Sequence, residues 1–144
     1  MKEDFDYNQV PKNYLHCLYT QCSRSKECLR FRVASRVPPD VEVISVVNRT
    51  YVAGKEEKCP YFRHTRLVCF ALGITRIFDN LPHTQALKIN RILYNYFQRN
   101  MYYRIRNKQR LISPEEQSFI REVFRKEGIS EEPVFDEYKY EYDW

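Results

Sequence analysis

The chain has 144 residues, of which 43% are hydrophobic and 30% charged, enough for one core-forming domain and unlike the composition of a disordered chain. Its 24 Lys and Arg exceed its 19 Asp and Glu for a net charge of +5, and its three glycines argue against a glycine-rich phosphate loop. No apolar stretch reaches the 18 or so residues of a membrane span, and the opening "MKEDFDY" lacks the basic-then-apolar order of a signal peptide, so a cytoplasmic location with reduced thiols is expected.

Taken in order, residues 1–13 read as an extended lead-in containing Pro11. Residues 14–36 carry a cysteine knuckle, with a short helical turn near 25–31. Pro38-Pro39-Asp40 breaks the chain. "VEVISVVNRTYVAG" is rich in β-branched residues and ends at Gly54, which predicts one strand or a strand pair. A polar "KEEK" turn and Cys59-Pro60 close the cysteine-rich, β-containing part, 1–60. Residues 61–130 read as the helical part. From Thr84, Ala86, Ile89, Leu93, Tyr96 and Phe97 recur at three- and four-residue steps along one helix face. "SPEE" places Ser113 at an N-cap, Pro114 at the first helical position and Glu116 in a capping box. That helix presents Phe119, Ile120, Val123 and Phe124 to a core and stops at Gly128. In the acidic tail, 131–144, Phe135, Tyr138, Tyr140, Tyr142 and Trp144 are interspersed with charges. So many aromatics are costly in open solvent, so the tail is expected to pack back. The expected fold is a small single α+β domain: a cysteine-rich N-terminal half with a short β element, then two to three helices and an aromatic C-terminal tail.

Cys17, Cys22 and Cys28 are separated by four and five residues, and Cys59 follows thirty-one positions later. Three thiolates from one loop and a fourth from a distant segment suit a four-coordinate site for a soft metal, either zinc or an iron–sulfur cluster. The loose gaps and the proline after Cys59 fit a cluster, whereas tight zinc knuckles favour two intervening residues; both metals stay open. His16 and His64 flank the cysteines as additional candidate ligands. Four thiolates leave no open coordination position, so the expected role is structural. Cys69, inside "RLVCFALG", reads as a buried hydrophobe.

Residues 88–110 contain seven bases and no acid. At about 100° per residue, Lys88, Arg91, Arg99, Arg106 and Arg110 fall along one stripe if the helix runs unbroken through Met101, although Arg104 lies off it. With Tyr102 and Tyr103 beside it, such a stripe could grip phosphates and stack bases of RNA or DNA, or contact an acidic protein or the chain's own acidic tail. Catalysis finds no support: there are three histidines, no nucleophile elbow and no HExxH, and Glu115 and Glu116 already serve a cap. The expected activity is therefore non-enzymatic.

The ordered set "DFDYNQVPKNYLHCL", "CPYFR", "GITRIFDNLP", "YYRIRN", "ISPEEQ" and "EYDW" resembles an uncharacterised family, a domain of unknown function, of short cysteine-containing bacterial proteins from gut anaerobes. The resemblance implies a bacterial cytoplasmic protein and transfers no activity. From the residues, the expected function is a binding module stiffened by a metal at Cys17, Cys22, Cys28 and Cys59. It would contact an acidic partner through Lys88, Arg91, Arg99, Arg106, Arg110, Tyr102 and Tyr103. The alternatives are a protein–protein adaptor without a nucleic-acid role and an iron–sulfur redox sensor.

Overall fold

A computed structural model describes residues 5–144. Its topology is mixed α+β, with five helices and four short strands among the described residues. The chain divides into two compact units, the described residues up to Leu67 with Tyr142–Trp144, and Val68–Glu141.

In the first unit, β1 (Leu15–His16) pairs in parallel with β2 (Ser45–Val46), Leu15 opposite Ser45. A 3-10 turn at Ser25–Glu27 leads into α1 (Leu29–Ala34), whose Leu29 and Val33 sit one turn apart and are fully buried. Around them pack Phe5, Tyr14 and Tyr142, with Trp144 edge-on to Tyr14 at 5.4 Å between ring centres. The strand expected over "VEVISVVNRTYVAG" shrinks to two residues. Asn48 accepts a hydrogen bond from the Thr50 N–H at 3.1 Å and starts the one-turn helix α2 (Arg49–Val52), while Val43 is 86% exposed.

In the second unit, β3 (Leu67–Leu72) pairs with β4 (Glu137–Tyr142); neither strand was expected in a helical part and an irregular tail. Three helices accompany them: α3 (His83–Phe97), α4 (Arg99–Arg106) and α5 (Pro114–Lys126). Ile74, Ile89, Leu93, Ile105, Ile112 and Ile120 are fully buried in one core, each worth about 1.5–3 kcal/mol of burial. The capping box forms as expected, with Ser113 accepting from the Glu116 N–H and Glu116 from the Ser113 N–H. At the other end the Gly128 N–H bonds Arg125 and the Ile129 N–H bonds Phe124, a Schellman closure at φ +78°. Buried Gln117 donates its amide to the Cys69 and Ile112 carbonyls at 3.0 Å each, tying α5 to β3.

The tail aromatics divide by position: Tyr142 is buried, whereas Tyr138 and Tyr140 are exposed. No described helix is long and apolar enough to cross a membrane.

Candidate functional site

Three turns deliver the cysteines. Cys17 follows β1, its N–H bonded to the Arg30 carbonyl at 3.2 Å. Cys22 closes a turn onto the Tyr19 carbonyl, and Cys28 ends the 3-10 turn that precedes α1. Cys59 opens the Cys59–Phe62 turn, whose Phe62 N–H returns to the Cys59 carbonyl at 3.2 Å. These segments are locked together by Arg30, itself 9% exposed. Its guanidinium donates to the Tyr61 carbonyl at 2.7 Å and the Leu15 carbonyl at 2.9 Å, and lies over the Tyr14 ring. Cys28 and His64 form an antiparallel bridge that holds the third cysteine beside the segment after Cys59.

All four cysteines line one cavity of about 30 Å³, together with the apolar or aromatic Tyr19, Phe31, Val52 and Phe62 and the polar Ser25 and Glu56. Cys17, Cys22 and Cys59 pack on the same small core of Tyr19, Val47 and Val52. Burial pushes the Cys17 thiol up; a hydrogen bond from the Tyr19 backbone draws it partway back, and the charges of Cys28, Cys22 and Cys59 push it up again. A coordinated cation would oppose that shift, since it ionises coordinating thiols outright. None of the five cysteines is in a disulfide. Among the described residues, no three or more His, Cys, Asp or Glu side chains form a group that could hold a metal ion as they stand. The four thiols thus share a cavity without forming a closed ligand set.

The two histidines lie elsewhere. His16 is buried, its ring nitrogens engaged by the Tyr7 hydroxyl at 2.8 Å and the Ser45 carbonyl at 3.2 Å, which leaves neither for a metal. His64 is exposed and stacks edge-on against Phe62 at 4.8 Å. Arg24 lies over the same Phe62 ring, 3.5 Å from its centre.

The basic segment is broken where an unbroken helix was required. Gln98 takes φ 66° and ψ 160°, ending α3, and α4 starts at Arg99. Lys88 and Arg91 therefore lie on one helix, Arg99 and Arg106 on another, and Arg110 beyond both. Two of the five expected cations are paired: Lys88 with Glu127 at 2.9 Å and Arg110 with Glu116 through two bonds of 3.0 and 2.8 Å. Tyr102 is a core residue, bonded to Asn90 and 4% exposed, so it cannot stack on a partner. Burial raises its phenol, with Arg106 opposing. Arg91, Arg99, Arg104 and Arg106 remain exposed, with no carboxylate partner among the described residues. Tyr103, 44% exposed, sits edge-on to Tyr94 and Tyr102 beside them. Arg104 thus belongs to the free set although the helical-wheel reading put it off the stripe, because the break at Gln98 resets the faces.

No curated protein matches the chain, and no solved structure does. The profile of a family of unknown function, DUF6078, matches residues 1–144. The whole chain, cysteine cavity and cationic helices included, belongs to that family of unknown function.

Proposed function

We propose that the protein is a non-enzymatic binding module in which Cys17, Cys22, Cys28 and Cys59 hold one structural zinc ion, and α3–α4 contact an acidic partner, nucleic acid first among them. The observation that carries the reading is the shared cavity. Four cysteines spread from position 17 to position 59 line a space of about 30 Å³, when one water-sized sphere needs about 10–15 Å³. A single ion drawn in by thiolates at about 2.3 Å suits that space, and the iron–sulfur redox sensor is the second reading. Rotation of the cysteine side chains between staggered wells completes the set. The four unpaired arginines and Tyr103 support the second half of the reading. A bacterial origin in gut anaerobes and a cytoplasmic location belong to the same proposal.

The test is elemental analysis and a visible spectrum on anaerobically purified protein, repeated on the Cys17→Ser, Cys59→Ser double variant. One zinc per chain, lost in the variant, is the expected result. Iron with sulfide and a broad visible band overturns zinc in favour of the sensor, and metal-free protein overturns the site. For the partner, a fluorescent single-stranded RNA should bind with an affinity that falls steeply as salt rises, the log–log slope being about −0.7 per phosphate contacted. Arg99→Glu with Arg106→Glu should abolish that binding. Absent or salt-insensitive binding leaves the protein-adaptor reading in its place.

A further inference from the structure

In the second unit a cleft of about 260 Å³ opens between α3, α4 and the loop that follows β3. That is just under the range of roughly 300–1,000 Å³ for drug-sized ligands, room for one ring system. Helix α3 contributes Ala86, Leu87 and Asn90 from one face, and α4 contributes Tyr102 and Arg106, one turn apart. Ile74, Thr75 and Phe78 supply the third side from the loop.

The polar groups of this wall are set in advance and differ in kind. The buried Tyr102 hydroxyl donates to Asn90 Oδ1 and so fixes the carboxamide. Asn90 Nδ2 has no bond among the described residues and is not an enclosed atom, so it faces open space as a donor. Arg106 lies near enough to Tyr102 for its charge to act on that phenol, is exposed, and has no carboxylate partner among the described residues. On the loop side the Thr75 hydroxyl gives its hydrogen to Asp136 at 2.6 Å, which leaves its oxygen able only to accept. The Asp136 carboxylate behind it disfavours an anion on that side. Between these groups lie buried Ile74, half-buried Phe78 and exposed Leu87. Donors on the helices, an acceptor on the loop and apolar surface between them fit a flat, neutral ring with acceptors on one edge and donors on another. A nucleobase has that pattern. Arg106 also belongs to the cationic set, and Arg99 lies on the same face of α4, seven residues earlier. A strand whose phosphates lie along α4 therefore has its bases beside the cleft.

We propose that this cleft takes one unstacked guanine of a single-stranded nucleic acid. Its O6–N7 edge meets the Arg106 fork and the Asn90 amide, its amino edge meets Thr75, and its ring lies over Leu87 and Phe78. Only a single strand leaves a base free to enter in this way. The proposal rests on the nucleic-acid reading, and its test tells the two failures apart. The probes are fluorescent RNA nonamers, one all uridine and one with a single central guanosine, titrated on the intact, metal-replete protein at two salt concentrations. The guanosine strand should bind about tenfold tighter, as one bidentate base contact allows. That ratio should hold at both salts, because the two strands carry the same phosphates. Adenosine in place of the guanosine should return the affinity to that of the all-uridine strand. Arg106→Lys keeps the charge and loses the fork, and Leu87→Trp fills the cleft from an exposed position; each should bring the ratio to about one. Arg125→Lys, on α5 and outside the wall, should keep it at about ten. A ratio of one in the parent, a preference for adenosine, or a tenfold ratio retained in Arg106→Lys or Leu87→Trp overturns the guanine cleft and leaves the nucleic-acid reading standing. Binding of neither strand overturns both.

Discussion

Asp136 shows how much one side chain can hold in the second unit. Its carboxylate accepts from the Thr75 hydroxyl at 2.6 Å, the Thr75 N–H at 3.1 Å and the Arg76 N–H at 2.8 Å. Burial alone would raise its pKa, but these bonds and the Lys108 charge outweigh it and hold the carboxyl below the usual carboxylate range. A carboxyl lowered by folding contributes stability above its unfolded pKa, near 4, and loses it as pH falls through the lower folded value. Asp136→Ala should therefore cost about 2 kcal/mol in urea unfolding at neutral pH, and the loss should shrink as the pH is taken below about 4. A pH-independent loss would mean that packing, not the charge, is what Asp136 supplies. Gly73 is coupled to it: at φ +85° a Cβ there would lie 2.5 Å from Asp136 Oδ2. Gly54 offers a control, at φ +78° with nothing within 4 Å. Gly54→Ala should cost about 1 kcal/mol for the backbone alone, and Gly73→Ala clearly more. Equal losses in the two would show that Asp136 moves aside freely.

At the scale of elements, the informative case is the break between α3 and α4. Residues 94–101, "YNYFQRNM", contain neither glycine nor proline, and a continuous helix is the natural expectation. The break is tertiary in origin: Tyr102 folds back to bond Asn90, Tyr94 packs against both Tyr102 and Tyr103, and Ile105 fills the core. Gln98 absorbs the change at φ 66°, a conformation that strains any residue with a Cβ. Gln98→Gly should therefore stabilise the protein, by about 1 kcal/mol in chemical denaturation. Were the segment one continuous helix, the same glycine would destabilise it by a similar amount, so the sign of the change decides. By contrast, α5 was readable end to end, because its start and stop are written in local chemistry: Ser113, Pro114 and Glu116 at one end, Gly128 at the other.

At the scale of the whole molecule, the first unit has little regular structure to support it. Its strands are two residues long and its helices six and four, so cross-links between loops carry its architecture. Arg30 is the main polar one. Arg30→Met would leave the Leu15 and Tyr61 carbonyls without their donor and should cost about 2–3 kcal/mol. On the proposed zinc reading it should also weaken metal retention in a chelator competition, because those carbonyls flank Cys17 and Cys59. Since metal bound only by the folded state adds its binding energy to folding, a strong chelator should raise amide hydrogen exchange across residues 14–63 and leave α3 and α5 protected. Uniform exchange with and without chelator would remove the metal from the architecture.

By itself the sequence determined those features whose causes lie within a few residues: the mixed α+β class, both ends of α5, the Ile89, Leu93 and Phe97 part of the apolar face of α3, from which Tyr96 departs by being exposed, and a set of four cysteines singled out by type and spacing. Strand β3 was missed because "RLVCFALG" reads equally as any short apolar run, and its partner β4 lies about 65 residues further on. Tertiary structure alone decided which cations stay free, since Lys88 and Arg110 find Glu127 and Glu116 only once α5 packs, and that Tyr102 is core rather than surface. It also decided that His16 serves Tyr7 and Ser45 instead of a metal. The reason is physical: caps and turns are settled by hydrogen bonds between near neighbours, whereas partners for long charged, aromatic and imidazole side chains are settled by whatever the fold carries to them.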